Sequence, residues 1–121
     1  MRLIITGGRD FNNFQKLEKA LGEFATIPKD QLIVLTGKAR GAAQLGEEWA
    51  KQHEYPIEEF PAQWDTYGKR AGYLRNKDMA TKATHLVAFW NGYSSGTEHM
   101  IALANLMKLN VTVVRYISYG D

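Results

Sequence analysis

The feature that most constrains the fold is the alternation of short apolar runs with helical repeats along the whole chain. Leu3-Ile4-Ile5-Thr6, Leu32-Ile33-Val34-Leu35-Thr36 and Leu86-Val87-Ala88-Phe89-Trp90 are closed by Gly7-Gly8, Gly37 and Asn91-Gly92, and Val111-Thr112-Val113-Val114 is a fourth run. Continuous runs of this kind, without polar alternation, predict strands buried on both faces. Ile57-Glu58-Glu59-Phe60 alternates instead and predicts a weaker edge strand. Between the runs, Leu17, Ala20, Leu21 and Phe24 repeat at helical spacing, as do Ala42, Leu45, Trp49 and Ala50, and Met100, Leu103, Ala104 and Met107. A further helix is expected from about Gly68 to Lys82, with Leu74, Met79 and Ala83 inward. Such a βα series predicts an α/β, Rossmann-like three-layer sandwich: a mainly parallel five-stranded sheet with helices on both faces. Right-handed crossovers leave few windings, and fold class favours strand order 3-2-1-4-5, with the switch point between the first and fourth strands.

With 121 residues, 45% of them hydrophobic, the chain has material for one core, so a single domain over residues 1–121 is expected. No apolar run approaches the length of a membrane span. The apolar stretch after Arg2 is too short for a signal peptide, so a cytoplasmic protein is expected. The absence of cysteine excludes disulfides, thiolate metal sites and thiol nucleophiles. The formal net charge is +2, with basic residues spread along the chain, which does not favour a dedicated nucleic-acid binder. His53, His85 and His99 lack metal-ligand spacing, and no metal site is expected from them.

Three strands end in segments suited to an anion: Thr6-Gly7-Gly8-Arg9-Asp10, Thr36-Gly37-Lys38-Ala39-Arg40-Gly41, and Asn91-Gly92-Tyr93-Ser94-Ser95-Gly96-Thr97. In a parallel sheet all three lie at the carboxyl edge, where ligands bind. Glycine admits close backbone approach, and Ser and Thr hydroxyls add donors. The loops at Gly41 and Gly96 open helices whose N–H groups favour phosphate. Arg9, Arg40 and Arg75 suit bidentate contacts. Each loop also has a plainer use, as a tight turn at Gly7-Gly8 and Gly37/Gly41 or as a cap at Ser94–Thr97. It is their convergence that points to a ligand. No segment matches a P-loop or a complete Gly-x-Gly-x-x-Gly. Trp64, in Pro61-Ala62-Gln63-Trp64, is placed either in the core or stacked on a base. Glu98 either complements the dipole of the last helix or serves chemistry.

Taken in order, Thr6–Phe11, Gly37–Ala42, Pro61–Trp64, Arg75-Asn76-Lys77-Asp78-Met79 and Trp90–Thr97 resemble the YspA-like branch of the SLOG superfamily over nearly the whole chain. That superfamily is Rossmann-like and related to the LOG phosphoribohydrolases and the DNA-processing protein DprA. The resemblance implies a nucleotide-derived ligand rather than a particular reaction. Two departures stand out. Lys38 occupies the second glycine of the family's Gly-Gly-Ala-Arg-Gly-Ala-Asp, and Ala43 its acid. Asn91 stands where Asp is frequent. Arg75 fits the arginine of the LOG enzymes, but Met100 stands where their glutamate would be. Glu98 lies two positions early, about 200° around a helix.

Three functional classes follow. The first is a nucleotide-binding sensor, sequestering or regulatory module. Gly7, Gly8, Arg9, Asp10, Gly37, Lys38, Arg40, Gly41, Asn76, Ser94, Ser95, Gly96 and Thr97 would surround phosphate and ribose, with Arg75 as phosphate clamp and Trp64 over the base. The second is an N-glycosidase acting on a nucleoside monophosphate, with Arg75, Asp10 or Glu98 as candidate catalytic groups. The third is a nucleic-acid-binding accessory protein. No cofactor is required, although Mg²⁺ would accompany a polyphosphate. A homo-oligomer, most simply a dimer, is expected by analogy with LOG enzymes; the apolar character of Met100, Ile101, Leu103, Leu106, Met107 and Leu109 fits either an interface or a helix buried within the monomer.

Overall fold

A computed structural model describes residues 1–118 of the chain. Five strands form one parallel sheet: β1 (Arg2–Gly7), β2 (Ile33–Thr36), β3 (Ile57–Glu59), β4 (His85–Trp90) and β5 (Asn110–Arg115). Their order is β3-β2-β1-β4-β5, so the direction of winding reverses between β1 and β4. The strand order and Rossmann-like architecture expected from the sequence are those of the molecule.

The helices are α1 (Phe14–Ala20), α2 (Ala42–Gln52), α3 (Trp64–Tyr67), α4 (Ala71–Lys82) and α5 (Ser95–Leu106). Alternate side chains of β1 feed two cores. Leu3 and Ile5 join Leu17, Leu21, Trp49 and Ala50 on the α1/α2 face, and Ile4 joins Met79, Ala80, Met100 and Ala104 on the α4/α5 face. Burying each large side chain contributes about 1.5–3 kcal/mol. The central strands β1 and β4 are covered on both sides, and their middle residues are buried.

Four local expectations are corrected. The repeat from Leu17 to Phe24 is not one helix: α1 ends at Ala20, and a 3₁₀ turn over Gly22–Phe24 follows. The helix expected from about Gly68 divides, with Gly68 at φ +60° ending α3 and a 3₁₀ turn leading into α4. Leu74 is 40% exposed rather than inward. The inner face of α4 runs through Asn76, Met79, Ala80 and Ala83, and Leu74 stands five residues, about 140°, from Met79. Finally, β5 is not covered on both faces. It is the outer strand beside β4, and Val113 is 39% exposed.

Candidate functional site

At the carboxyl ends of β1 and β4 the following loops diverge, and a cleft of about 510 Å³ opens between them. Its floor is Thr6-Gly7-Gly8, one wall is the β4–α5 loop, and the opposite wall comes from α3 and α4. Of the residues expected at a site, Gly7, Gly8, Arg9, Asp10, Trp64, Arg75, Asn76, Ser94, Ser95, Gly96 and Thr97 are brought together here.

The β4–α5 wall is built by short polar contacts. Asn91 Oδ1 accepts from the backbone N–H groups of Tyr93 (2.8 Å) and Ser94 (2.9 Å). Its amide nitrogen donates to Ser118 Oγ at 2.6 Å, which an aspartate at this position would not do. Ser94 caps α5, accepting from Thr97 N at 3.4 Å and sharing a 3.1 Å hydroxyl bond with Thr97. The N–H groups of Ser95 and Gly96, in the first turn of α5, have no acceptor among the described residues. They bring the positive end of the helix dipole to the cleft.

Arg75 spans the other side. Its guanidinium donates through Nη1 to Gly37 O and through Nε to Asn76 Oδ1 (3.1 Å), and it has no carboxylate partner among the described residues. A Cβ on Gly37 would lie 2.5 Å from Arg75 Nη1, so the glycine makes room for this side chain. Burial, and then the neighbouring charge of Arg9, pull the Arg75 guanidinium below its ordinary value. It nevertheless remains a cation, as arginine does throughout proteins. Asn76 is buried and its amide is occupied internally: Nδ2 reaches Gly96 O at 3.1 Å and His99 Nδ1 at 3.3 Å. It ties α4 to the start of α5.

Arg9 and Lys69 add charge to the cleft wall, and Arg9 is exposed, with no ion pair among the described residues. Asp10 is the lone carboxylate among the described lining residues, and Tyr116 donates its hydroxyl to Asp10 Oδ1 at 2.5 Å. Trp64, 49% exposed, and Tyr73 present rings to the cleft, the latter packed edge-on to His99 at 4.6 Å.

The β2–α2 loop is placed differently from the glycine loops of β1 and β4. Gly37, Lys38 and Arg40 line an adjoining chamber rather than the main cleft. Lys38 takes φ +59°, the left-handed region that explains a glycine there in the family. Its ammonium lies 2.9 Å from Glu47 and 3.3 Å from Glu59, and these partners raise its pKa. Glu47, one turn beyond Ala43 and also bonded to Thr36 Oγ1 at 2.9 Å, supplies a carboxylate that Ala43 cannot. Gly41, at φ +79°, packs against the backbone of Gly8 and Arg9, and Ala42 N donates to Gly8 O at 3.2 Å. The start of α2 is thus joined to the β1–α1 loop and does not line the cleft, contrary to the role expected of this helix terminus. Glu98 is exposed and off the cleft wall, and Met100 is fully buried.

Sequence reasoning did not single out Lys69, Gly72 or Tyr73 as lining residues, because only the α3–α4 break aims them at the cleft. Tyr116 was missed too, for want of any motif around it. Among the described residues no three histidine or acidic side chains gather to hold a metal ion, and no helix is long and apolar enough to cross a membrane.

No solved structure matches the chain. The Gene 61 protein of Mycobacterium phage D29 is similar, 32% identical over an aligned length of 126 residues, with 99% of this chain and 97% of the relative covered. The family model of the YspA, cpYpsA-related SLOG family matches residues 1–67, which carry the β1–α1 loop, the β2–α2 loop and Trp64. With that match over more than half of the chain, the protein belongs to the YspA, cpYpsA-related SLOG family.

Proposed function

We propose that the cleft binds a nucleotide or nucleotide-derived phosphate ligand, and that the protein acts as a sensing, sequestering or regulatory module. The observation that carries this reading is the charge of the cleft. Arg9, Lys69 and Arg75 line it with the open N–H groups of α5, and Asp10, already bonded to Tyr116, is the carboxylate beside them. Arg75 is partly buried and Arg9 and Lys69 stand exposed at the rim. Cations gathered without a carboxylate partner favour an anion, and guanidinium groups and helix N-termini favour phosphate in particular. Trp64 and Tyr73 offer faces for a base. Family membership supports a nucleotide-related ligand. Mg²⁺ would enter only on the oxygens of a polyphosphate.

Thermal denaturation against nucleoside mono-, di- and triphosphates, dinucleotides and cyclic nucleotides tests the reading. A ligand at about 100 times its Kd adds about 2.7 kcal/mol, several degrees in Tm for a domain of this size. Arg9→Ala, at an exposed and unpaired side chain, should leave the melting of the free protein unchanged and weaken the ligand about tenfold. Arg75→Ala should weaken both, because it also strips Gly37 O of its donor. A flat panel at millimolar concentration would turn the search to nucleic acid or a protein partner. Release of free base from a bound monophosphate would instead assign N-glycoside cleavage, with Asp10 as its acid. That alternative has less support, since Met100 and Glu98 leave the LOG carboxylate position unfilled. Self-association into a dimer belongs to the same reading, supported by β5, an edge strand with no further strand beside it among the described residues.

A further inference from the structure

The cleft continues past Trp64. A second chamber of about 370 Å³ follows the β2–α2 loop, walled by Gly37, Lys38, Arg40, Pro61 and Ala62. The two chambers share Arg9, Ala39, Trp64 and Arg75, so two guanidinium groups stand at the waist between them. They are near enough for the charge of one to disfavour that of the other. The second chamber has no carboxylate among its described lining residues. The ammonium of Lys38 is already held by Glu47 and Glu59, whereas Arg9 and Arg40 have no hydrogen-bond or ion-pair partner among the described residues.

Two like charges facing one space are relieved by an anion placed between them. A monophosphate seated at the waist satisfies Arg9 and Arg75, but it leaves one chamber and Arg40 unused. A molecule with its negative charge in the middle and an organic arm on each side uses the whole trough. The arms are not equivalent. The larger chamber has the rings of Trp64 and Tyr73 for a base, with the carboxylate of Asp10 as an acceptor for a ribose hydroxyl. The smaller has Arg40 as a donor beside the apolar surface of Pro61 and Ala62, which suits a compact, hydroxyl-rich arm.

We propose that the preferred ligand is a diphosphate-bridged, two-armed nucleotide, with its diphosphate at Arg9 and Arg75, its nucleoside in the larger chamber and a sugar-type second arm beside Arg40. This rests on the reading that the main cleft takes nucleotides.

Titration calorimetry on the full chain with matched probes separates the two ideas: AMP with ADP-ribose, GMP with GDP-mannose, UMP with UDP-glucose, CMP with CDP-glycerol. For the preferred base, the two-armed probe should bind about tenfold tighter or better than its monophosphate. Arg40→Ala should remove most of that gain and leave the monophosphate affinity unchanged. Equal affinities within every pair that binds would overturn the second arm while the nucleotide reading stands. A gain that survives Arg40→Ala would overturn the placement of that arm. Tighter binding of a single-stranded homopolymeric oligonucleotide than of any probe would overturn the proposal in favour of a polymer lying in the trough, and silence of all eight probes would overturn both readings together.

Discussion

At the level of single residues, the glycines of the first loop were legible in the sequence, but their reason was not. In the sequence Gly7 and Gly8 read either as room for a ligand or as a tight turn. In the molecule a Cβ on Gly8 would fall 1.8 Å from the Tyr116 hydroxyl and 2.9 Å from Asp10 Oδ1. Position 8 is therefore closed by protein, 108 residues away in sequence, which no local pattern discloses. The consequence is a coupling between distant sites. Gly8→Ala should destabilise by about 1–3 kcal/mol, as overpacked sites do. Tyr116→Phe alone should cost about 1 kcal/mol by taking a donor from the partly exposed Asp10. The double variant should be more stable than the sum of the two losses predicts, because removing the hydroxyl opens the space that the new methyl needs. Chemical denaturation of the four proteins measures the cycle, and strict additivity would show that Tyr116 does not set the requirement for glycine. Lys38 teaches a similar lesson. Its charge drew it into the predicted site, yet Glu47 and Glu59, unremarkable in the sequence, hold it.

At the level of elements, the strands were legible because their apolar runs are uninterrupted, and helix boundaries were not, because they depend on capping and on φ. Gly68 and Gly22 interrupt helical repeats that hydrophobic spacing alone carries through. The inner face of α4 was misjudged for a related reason: it holds a polar residue, Asn76, whose partners lie on α5 and on the preceding residue. That junction predicts a pH dependence. Asn76 Nδ2 donates, so His99 Nδ1 accepts and must be unprotonated. Burial holds the His99 imidazole below its ordinary 6.5. The unfolded chain binds this proton first on acidification, so the stability linked to His99 is present above pH 6.5 and is lost as pH falls below it. His85 is also lowered, mainly by burial, and contributes with the same sign. Melting temperature followed from about pH 8 to about pH 5 should therefore decline more steeply in the wild type than in His99→Gln, which cannot take up charge. Parallel profiles would show that the Asn76–His99 contact carries no linkage.

At the level of the whole molecule, the sheet order follows from the number and alternation of elements, since a right-handed parallel winding allows few arrangements. What each edge of that sheet faces does not follow, because it depends on strand lengths and side chains at positions that look alike in sequence. The two edges differ. β3 has three residues and carries Glu58, paired with Arg2, and Glu59, paired with Lys38. Short strands and charges of this kind protect an edge. β5 has six residues, Asn110-Val-Thr-Val-Val-Arg115, with neither lysine nor proline among them, and Val113 is 39% exposed upon it. Leu106 at the end of α5 is 77% exposed. An open edge of that length invites another strand, and a second copy meets it with two-fold symmetry. In antiparallel pairing about a point between Thr112 and Val113, Arg115 faces Asn110 and no like charges oppose one another. The chain of 13.7 kDa is thus expected to sediment as a dimer at micromolar concentration. Val113→Lys should return it to a monomer with little change in melting once concentration is allowed for, because a lysine on an edge strand repels its own copy and stays hydrated. A wild-type protein that sediments as a monomer across that range would leave β5 a tolerated open edge. A dimer indifferent to Val113→Lys would place the contact on another surface.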